Sequence, residues 1–398
     1  MIGFMRKERG FIGLALVSAL AAFSTGAARP AVSPTTVDPP SRLPVLIPFP
    51  DCGKTVLLPV RVNGHEPRLF ILDSGANSMA LDNGFADSIG LHPTGTGAGT
   101  GAGAGPVRFR RYPRDSVEFS IGGVSFRSDR TISVDFSNQP GILGYSVAGL
   151  LGTDFFRRVV VEVDYDARFV RLYDPAHFSS PAGAETIPIT FDHDVPHVTA
   201  RLTVAGRPAR ARRLLVDSGS EDAVDDSLLL ESRGPLREVL GGVGSGQTYK
   251  VVFGRIERFE LGRFMLENLP SVAPGVSLIG GEVLRRFRCT FDYTRERLLL
   301  VPGRHLRDAV PEDLSGLTLR LTEDGTRLRI EDVVRGSPAA GAGLRKDEQV
   351  TAIDGATVRD IGLNRAQALL MVPGCRLRLE ISSPAGRREV ELHLPEGQ

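Results

Sequence analysis

Two stretches of the sequence, FILDSGANSMALD at residues 70–82 and LLVDSGSEDAVDD at residues 214–226, follow one pattern. Each runs apolar residues into Asp-Ser-Gly and then returns to small or apolar side chains. An aspartate at the end of an apolar strand is partly buried, and a lone buried carboxylate takes up a proton rather than stay charged. The repeat therefore predicts that Asp73 and Asp217 form a pair, since two carboxyls about 3 Å apart can share one proton.

The residues beside each aspartate suit such a pair. Gly75 and Gly219 allow the tight turn that exposes a carboxylate, and their backbone N–H groups can hold it in place. Ser74 and Ser218 offer hydroxyls that can brace the loop. The strings LLG at 150–152 and LIG at 278–280 are expected to pack behind the two aspartate loops.

The wider sequence is also duplicated, because the same motifs recur in the same order. Residues 60–78 match residues 202–222 as strand, turn, strand and acidic tripeptide, and residues 149–175 match residues 277–303. Short runs rich in Val, Ile, Leu and Phe, separated by turn signals, indicate strands throughout this region. The pattern predicts two homologous β lobes, at 43–180 and 181–305.

A glycine-rich stretch lies between the paired motifs of each half, GTGAGTGAGAG at 95–105 and GGVGSG at 241–246. Glycine at this density is typical of a mobile segment that allows close backbone approach. For the first stretch, a surface loop without function is an open alternative. Neither stretch continues into Lys-Ser or Lys-Thr, so neither is a phosphate-binding loop.

From about residue 311 the sequence pattern changes and predicts strands together with two helical stretches. The string GSPAAGAGLRKDEQVTAIDG, followed by a helix and two strands, resembles a PDZ domain over residues 310–395. The resemblance implies an α+β fold that binds extended peptides, often C-terminal ones, as an added strand. It places the carboxylate-accepting loop at Ser315, Gly316 and Leu317, although this loop departs from the usual Gly-Leu-Gly-Phe form.

Residues 43–303 resemble the retropepsin-like aspartic proteases in the single-chain, two-lobe form of the pepsins. Apolar-apolar-Asp-Ser-Gly, a glycine-rich flap region and apolar-apolar-Gly occur twice in the family's order. The resemblance implies an all-β fold of two acid-protease-type β-barrel lobes related by a pseudo-twofold axis, with Asp73 and Asp217 as catalytic dyad. It implies that Tyr112 or Tyr249, which follow the glycine-rich stretches, is a flap tyrosine. Ser220 departs from the family, which usually has alanine there, and the second half carries extra acids at Glu221, Asp222, Asp225 and Asp226.

The N-terminus has the form of an export signal. Basic residues in MIGFMRKERG precede the apolar FIGLALVSALAAF and the small residues STGAA, which predicts a signal peptide over 1–28. A Pro-rich flexible leader is expected over 29–42. The chain is thus expected in the periplasm or outside the cell, with an uncleaved membrane anchor as the alternative.

Composition and cysteine content exclude other classes. The chain of 398 residues has a net charge of +1 and no long basic run, which argues against nucleic acid as a partner. Three cysteines make no disulfide framework and fit no zinc spacing. The segment HDVPH, with His193 and His197, favours a solvated loop over a metal site, so no metal or other cofactor is expected.

Together these features predict an exported aspartic endopeptidase. It would hydrolyse polypeptides as a monomer through a water held between Asp73 and Asp217, with the PDZ domain engaging substrate or partner. The alternative is a non-catalytic peptide-binding protein that uses the cleft and the PDZ domain.

Overall fold

A computed structural model describes residues 43–99, 106–240, 250–311 and 313–396. The predicted signal peptide and leader lie outside these residues. The chain forms two compact units, which are described separately. The lobe unit comprises the described part of Leu14–Ser137 with Val147–Ala309, and the C-terminal unit comprises Asn138–Ser146 with Val310–Gln398. No helix in the described ranges is long and apolar enough to cross a membrane.

The first lobe is built on a nine-stranded sheet in the order β5-β6-β9-β4-β10-β3-β2-β7-β8. Its strands are β2 (Leu57–Val62), β3 (Arg68–Leu72), β4 (Met79–Asp82), β5 (Gly95–Gly99), β6 (Val107–Arg111), β7 (Val117–Ile121), β8 (Val124–Ser128), β9 (Thr131–Val134) and β10 (Gly149–Leu151). Helices α1 (Asn83–Ser88) and α3 (Thr153–Phe156) follow β4 and β10. The alternating burial of β7 and β8 fits a sheet with one face on the core.

The second lobe has an eight-stranded sheet with β17-β21-β16-β15-β19-β18 as its main path, β14 beside β15 and β20 beside β19. Its elements are β14 (Thr190–Asp192), β15 (Val195–Thr203), β16 (Arg210–Val216), β17 (Val224–Asp225), a 3-10 helix (Ser227–Glu231), β18 (Arg237–Leu240), β19 (Lys250–Leu261), β20 (Phe264–Ala273), β21 (Leu278–Ile279) and α4 (Gly281–Leu284).

A third sheet of six strands joins the two lobes, in the order β1-β12-β11-β22-β23-β13. It contains β1 (Val45–Pro48), β11 (Val160–Asp164), β12 (Phe169–Tyr173), β13 (Glu185–Pro188), β22 (Phe287–Asp292) and β23 (Arg297–Pro302), with a short 3-10 helix (Tyr293–Arg295) between the last two. The lobes meet where β11 pairs antiparallel with β22, with Val161 opposite Phe291. The ring of Phe156 packs against those of Phe291 and Tyr293, with centroids 5.3 and 5.1 Å away, so the core is continuous across the joint.

The predicted duplication is visible in strand pairing. In the first lobe β3 lies between β2, its antiparallel hairpin partner, and β10, which is parallel to it. In the second lobe β16 lies in the same way between β15 and the parallel β21. Strands β4 and β17 then pair antiparallel with β10 and β21. The prediction of an all-β protein with two matching lobes and a C-terminal α+β domain is confirmed.

The C-terminal unit is an antiparallel sheet in the order β24-β25-β26-β28-β29, with β27 beside β26. Its elements are β24 (Leu317–Leu321), β25 (Leu328–Val333), α5 (Pro338–Gly341), β26 (Gln349–Ile353), β27 (Ala356–Thr357), α6 (Val358–Leu369), β28 (Arg376–Ser383) and β29 (Gly386–His393). Ser337 caps α5 by accepting the N–H of Ala340, and Pro338 occupies the first helical position. Helix α6 is kinked at Gly362, whose φ of 70° suits only glycine among ordinary residues.

One short helix belongs to an unexpected unit. Helix α2 (Gln139–Leu143) lies between β9 and β10 in sequence, within the range that the sequence assigned to the first lobe. The segment that contains it, residues 138–146, groups instead with the C-terminal unit. The chain thus leaves the lobe unit after Ser137 and returns at Val147. We call residues 138–146 the crossover segment.

Candidate active site

The two Asp-Ser-Gly turns follow equivalent strands. Strand β3 ends at Leu72, one residue before Asp73, and β16 ends at Val216, one residue before Asp217. The N–H of Asp73 donates to the carbonyl oxygen of Leu151 in β10 at 3.1 Å. The N–H of Asp217 donates likewise to Ile279 in β21 at 2.9 Å. Each aspartate is therefore fixed by the parallel strand that its own lobe contributes.

The glycines of both turns are required by the opposite carboxyl group. A Cβ atom on Gly75 would lie 2.7 Å from Cγ of Asp217, and one on Gly219 would lie 2.6 Å from Cγ of Asp73. The N–H of each glycine also donates at 2.9 Å to Oδ1 of the aspartate in its own turn. Asp73 and Asp217, remote in sequence, therefore face each other across two backbone turns.

The serines of the two turns link the lobes through crossed hydrogen bonds. The Ser74 hydroxyl donates to the Val216 carbonyl oxygen at 2.6 Å and accepts the N–H of Ser218 at 2.9 Å. The Ser218 hydroxyl donates to the Leu72 carbonyl oxygen at 2.7 Å and accepts the N–H of Ser74 at 3.0 Å. Because all four bonds are buried and run between lobes, they fix the relative position of the two aspartates. The sequence predicted that the serines brace the loops, but not that each braces the other lobe's loop.

Burial controls the protonation of the pair. Both aspartates are 0% exposed. Burial raises the pKa of Asp73 to about 7, against the lowering effects of the Gly75 N–H, the Asp217 side chain and the Ala76 N–H. Two carboxyl groups can hydrogen-bond each other only when one of them carries a proton. The arrangement therefore favours one shared proton up to about neutral pH.

The apolar-apolar-Gly strings lie behind the turns, as the sequence suggested. The N–H of Thr153, after LLG, donates to the Ala76 carbonyl oxygen at 2.9 Å, and the N–H of Gly281, after LIG, donates to Ser220 at 2.7 Å. A Cβ on Gly152 would lie 2.2 Å from the Ser78 carbonyl oxygen, and one on Gly280 would lie 2.5 Å from that of Asp222. Only glycine allows this approach of the two backbones.

The extra acids of the second lobe form a buried group behind Asp217. The Asp222 carboxylate accepts the Ser220 hydroxyl at 3.1 Å, and Asp225 accepts the Val272 N–H at 3.0 Å. Burial, and next the charge of Asp222, raise the pKa of Asp225 well above its ordinary value. Asp226 instead ion-pairs with Arg212 at 2.9 Å. Ser220, where the family has alanine, thus gives Asp222 a donor.

Of the two tyrosines predicted to lie in a flap, only Tyr112 is among the described residues. Tyr112 is buried, and its hydroxyl lies 3.0 Å from Oγ of Ser133. Tyr249 lies outside the described residues. The first glycine-rich stretch begins in the hairpin β5–β6, where the Phe109 ring lies so close to Gly97 that a Cβ there would be 2.5 Å from it.

A third tyrosine contacts the site and was not predicted. The buried hydroxyl of Tyr293 donates to the Ser74 carbonyl oxygen at 3.3 Å, which reaches from the shared sheet to the first aspartate turn. Burial raises the pKa of Tyr293 well above its ordinary range, so the hydroxyl keeps its proton. The repeated Asp-Tyr pairs at 164–165 and 292–293 were the signal that could have indicated it.

In the C-terminal unit, the predicted carboxylate-accepting loop is already occupied from within. The N–H groups of Ser315 and Gly316 donate to Oδ1 of Asp313 at 2.8 and 2.9 Å, and the N–H of Leu317 donates to Oγ of Ser315 at 3.0 Å. Binding of a peptide at Ser315, Gly316 and Leu317 stays a prediction.

The other candidates have structural environments. In the described part of the chain, no group of three or more His, Cys, Asp or Glu residues could hold a metal ion. His197 lies within β15, and Asp194 ion-pairs with Arg130 at 2.9 Å. The three cysteines form no disulfide; Cys52 and Cys289 are buried, and Cys375 is half-buried.

Comparisons with known families agree with this geometry. A family model described as aspartyl protease matches residues 58–155, which include the first aspartate turn and its LLG string. A PDZ domain model matches residues 306–382. A search of curated proteins found no match. The chain thus contains an aspartyl protease domain and, C-terminal to it, a PDZ domain.

Proposed function

We propose that this protein is an aspartic endopeptidase that cleaves polypeptides with Asp73 and Asp217 as its catalytic residues. The observation that carries the proposal is the meeting of two fully buried carboxyl groups on symmetric turns, close enough that each excludes a Cβ from the opposite glycine. A structural role does not require two buried acids face to face, because such a pair is costly unless it shares a proton.

The mechanism follows from the shared proton. The ionised carboxylate accepts a proton from a water molecule held between the two acids, and the water oxygen attacks the peptide carbonyl carbon. The protonated carboxyl donates its proton to the carbonyl oxygen, which gives a neutral tetrahedral diol. The diol then collapses as one carboxylate takes back a hydroxyl proton and the other carboxyl protonates the leaving amine. The proton taken from the water leaves on the amine and the proton given to the carbonyl oxygen returns to the dyad, so the dyad ends in its starting state.

The turn hydrogen bonds hold the dyad in place during these steps. Oδ1 of Asp217 accepts two N–H groups, from Gly219 at 2.9 Å and Ser220 at 3.1 Å, while Asp73 accepts that of Gly75. These bonds stabilise negative charge on the Oδ1 atoms of Asp73 and Asp217. In the proposed mechanism, the proton and the water are assigned to the Oδ2 atoms of the two aspartates. The crossed serine bonds keep the two carboxyl groups in register.

Substrate would lie across the pair as an extended strand, beneath the hairpins β5–β6 and β18–β19. The glycine-rich strand β5 is suited to close approach to a peptide backbone. Because one chain supplies both aspartates, we expect the monomer to be the active form. The export signal predicted at residues 1–28 would place the enzyme in the periplasm or outside the cell.

The test is cleavage of casein from pH 3 to pH 9 by the wild-type protein and by Asp73→Asn and Asp217→Asn. Either substitution should lower turnover at least about 1000-fold, because each removes the acid or the base. Addition of EDTA should leave turnover unchanged. Turnover that survives either substitution, or that EDTA abolishes, would exclude the dyad mechanism.

The second candidate is a peptide-binding protein without catalysis. It would hold an unfolded chain in the cleft of the lobes and on the PDZ domain, and the match of residues 306–382 to a PDZ domain supports it. It predicts saturable binding of unfolded casein with no cleavage at any pH. Retention of both aspartates in the facing geometry favours the enzyme.

A further inference from the structure

The PDZ domain has an edge strand that would be open to an added chain. Strand β24 is the end strand of its sheet, and among the described residues it pairs on one side only, with β25. Helix α6 lies against β24, so the two elements form the walls of a groove. An unpaired strand edge beside a helix is the surface on which an extended peptide adds as a further strand.

One end of this groove is closed to a terminal carboxylate. The Asp313 side chain takes the N–H groups of Ser315 and Gly316 and the hydroxyl of Ser315, all at 2.7 to 2.9 Å. Asp313 and Ser315 are themselves buried. The donors that would bind the free carboxyl of a ligand are therefore satisfied by a carboxylate of the domain itself. A ligand that continues past this point, with no charged end to place, meets no such conflict.

The crossover segment lies on both walls of the groove. Helix α2 packs on β24, where a Cβ on Gly141 would be 2.9 Å from Cγ of Arg320 and 3.1 Å from the Leu321 carbonyl oxygen. At the other wall, the Asn364 side-chain amide of α6 donates to the Leu143 carbonyl oxygen at 3.4 Å. Ile142 and Leu143 are both buried. A helix laid over the strand edge covers the surface that an added strand would need.

We propose that the groove between β24 and α6 binds internal polypeptide segments rather than C-termini, and that the chain's own crossover segment occupies it until a ligand displaces it. Two independent observations carry this: the internal carboxylate of Asp313 on the loop, and the seating of residues 138–146 on both walls. The occupant resembles the ligand class, because it too is an internal segment with no free end.

The docking is built to be reversible. Oε1 of Gln139 is buried and has no hydrogen-bond partner among the described residues, which opposes docking. A tethered segment competes at an effective concentration in the millimolar range. A ligand in solution therefore binds weakly until its own concentration exceeds this effective concentration. Val147 and then β10, which pairs with the strand leading to Asp73, follow the crossover segment directly in the chain.

The first experiment asks whether the segment is docked in solution, using full-length protein with Asp73→Asn to prevent cleavage. The variant Gly141→Cys with Arg320→Cys should form a disulfide readily. A Cβ on Gly141 would lie 2.9 Å from Cγ of Arg320, and Cγ is the position that the sulfur of a cysteine at 320 would take. In a disulfide, the Cβ of one cysteine lies about 3 Å from the sulfur of the other. The control pair, Gly341→Cys with Arg320→Cys, should remain reduced, since nothing lies within 4 Å of a Cβ on Gly341. Mass spectrometry identifies the bonded pair. Equal, slow oxidation of both pairs would overturn the proposal.

The second experiment measures ligand binding to three states of the groove. Fluorescent 12-residue peptides that tile the casein sequence, each with a free or an amidated C-terminus, are titrated and followed by anisotropy. The disulfide-locked pair should bind at least tenfold more weakly than Gly141→Val, which expels the segment, and the matched Gly341→Val should bind like the parent. Amidation should change affinity less than twofold.

Three results would refute the proposal: equal binding by the locked and expelled forms, a tenfold loss on amidation, or no binding by the expelled form. Because binding is measured in an Asp73→Asn background, the outcome does not depend on whether the lobes are a protease.

Discussion

The burial of Asp73 should make the protein less stable as pH rises, and Asp73→Asn should remove that dependence. Burial raises the pKa of this carboxyl from 3.8 to about 7 in the folded protein. Below pH 3.8 it is protonated in both the folded and the unfolded chain, so it costs no stability. Between the two values the unfolded chain releases a proton that the folded chain retains, and the free energy of unfolding falls as pH rises.

The size of this effect follows from the two pKa values. Each pH unit between them costs about 1.4 kcal/mol, which gives about 4 kcal/mol once the pH exceeds 7. Removing the Asp73 carboxyl also removes its electrostatic repulsion of Asp217. This makes the measured change in the free energy of unfolding smaller. We therefore expect the stability of Asp73→Asn relative to wild type to rise by about 2–4 kcal/mol between pH 4 and pH 8. Asparagine keeps an oxygen that can accept the Gly75 N–H, so the turn can survive the substitution.

The assay is urea unfolding followed by circular dichroism at five pH values, with the mass of each sample checked for self-cleavage. Asp115→Asn serves as the matched control, because Asp115 is exposed in the same unit, and its φ of 56° is one that asparagine tolerates. Its stability difference from wild type should change by less than about 0.5 kcal/mol over this range. A difference for Asp73→Asn that is equally flat, or that grows toward acid pH, would refute a buried carboxyl that holds its proton.

Three further predictions test the same site. Casein cleavage should fall about tenfold per pH unit above about pH 7, because turnover needs the proton held by the dyad; a plateau to pH 9 would contradict this. Ser74→Ala loses two buried hydrogen bonds and should lower the free energy of unfolding by about 2–3 kcal/mol, as measured by urea unfolding. The control Ser88→Ala, at an exposed serine, should lower it by under about 0.5 kcal/mol. Equal losses would be evidence against the crossed serine bonds. Gly75→Ala should reduce casein turnover more than about 100-fold by displacing Asp217, while Gly275→Ala, with nothing within 4 Å, should leave turnover within twofold.

The sequence was enough to predict the lobes and the facing acids because their signals are local and repeated. Each Asp-Ser-Gly turn follows an apolar strand, and an apolar-apolar-Gly string follows each turn later in the same half. A duplicated pattern of this kind implies a symmetric structure, and symmetry brings the two copies to a common axis. The meeting of Asp73 and Asp217 could be inferred without knowing any contact between them.

The contacts between the lobes could not be predicted in the same way. Strand β11 pairs with β22, and Tyr293 contacts the turn of the opposite lobe. Both contacts depend on how the two lobes join, which the pattern of either lobe alone does not determine. Pairing between strands more than 100 residues apart leaves little trace in one sequence, since any β-rich edge of suitable length could serve. The crossed serine bonds were missed for the same reason. Each serine is typical of its own turn, and only the pairing of the lobes reveals that it serves the other one.

The PDZ domain shows a second limit, because a loop assigned from its position in a motif can have its N–H groups bonded from within the domain. The string around Ser315, Gly316 and Leu317 occupies the loop position that the family uses for a terminal carboxylate, so sequence alone assigned it that role. One upstream residue, Asp313, supplies a carboxylate from within the domain. The same N–H groups cannot serve both acceptors at full strength. Asp313 lies two residues before this loop, so its effect on the choice of ligand can be judged only once the hydrogen bonds of the folded loop are known.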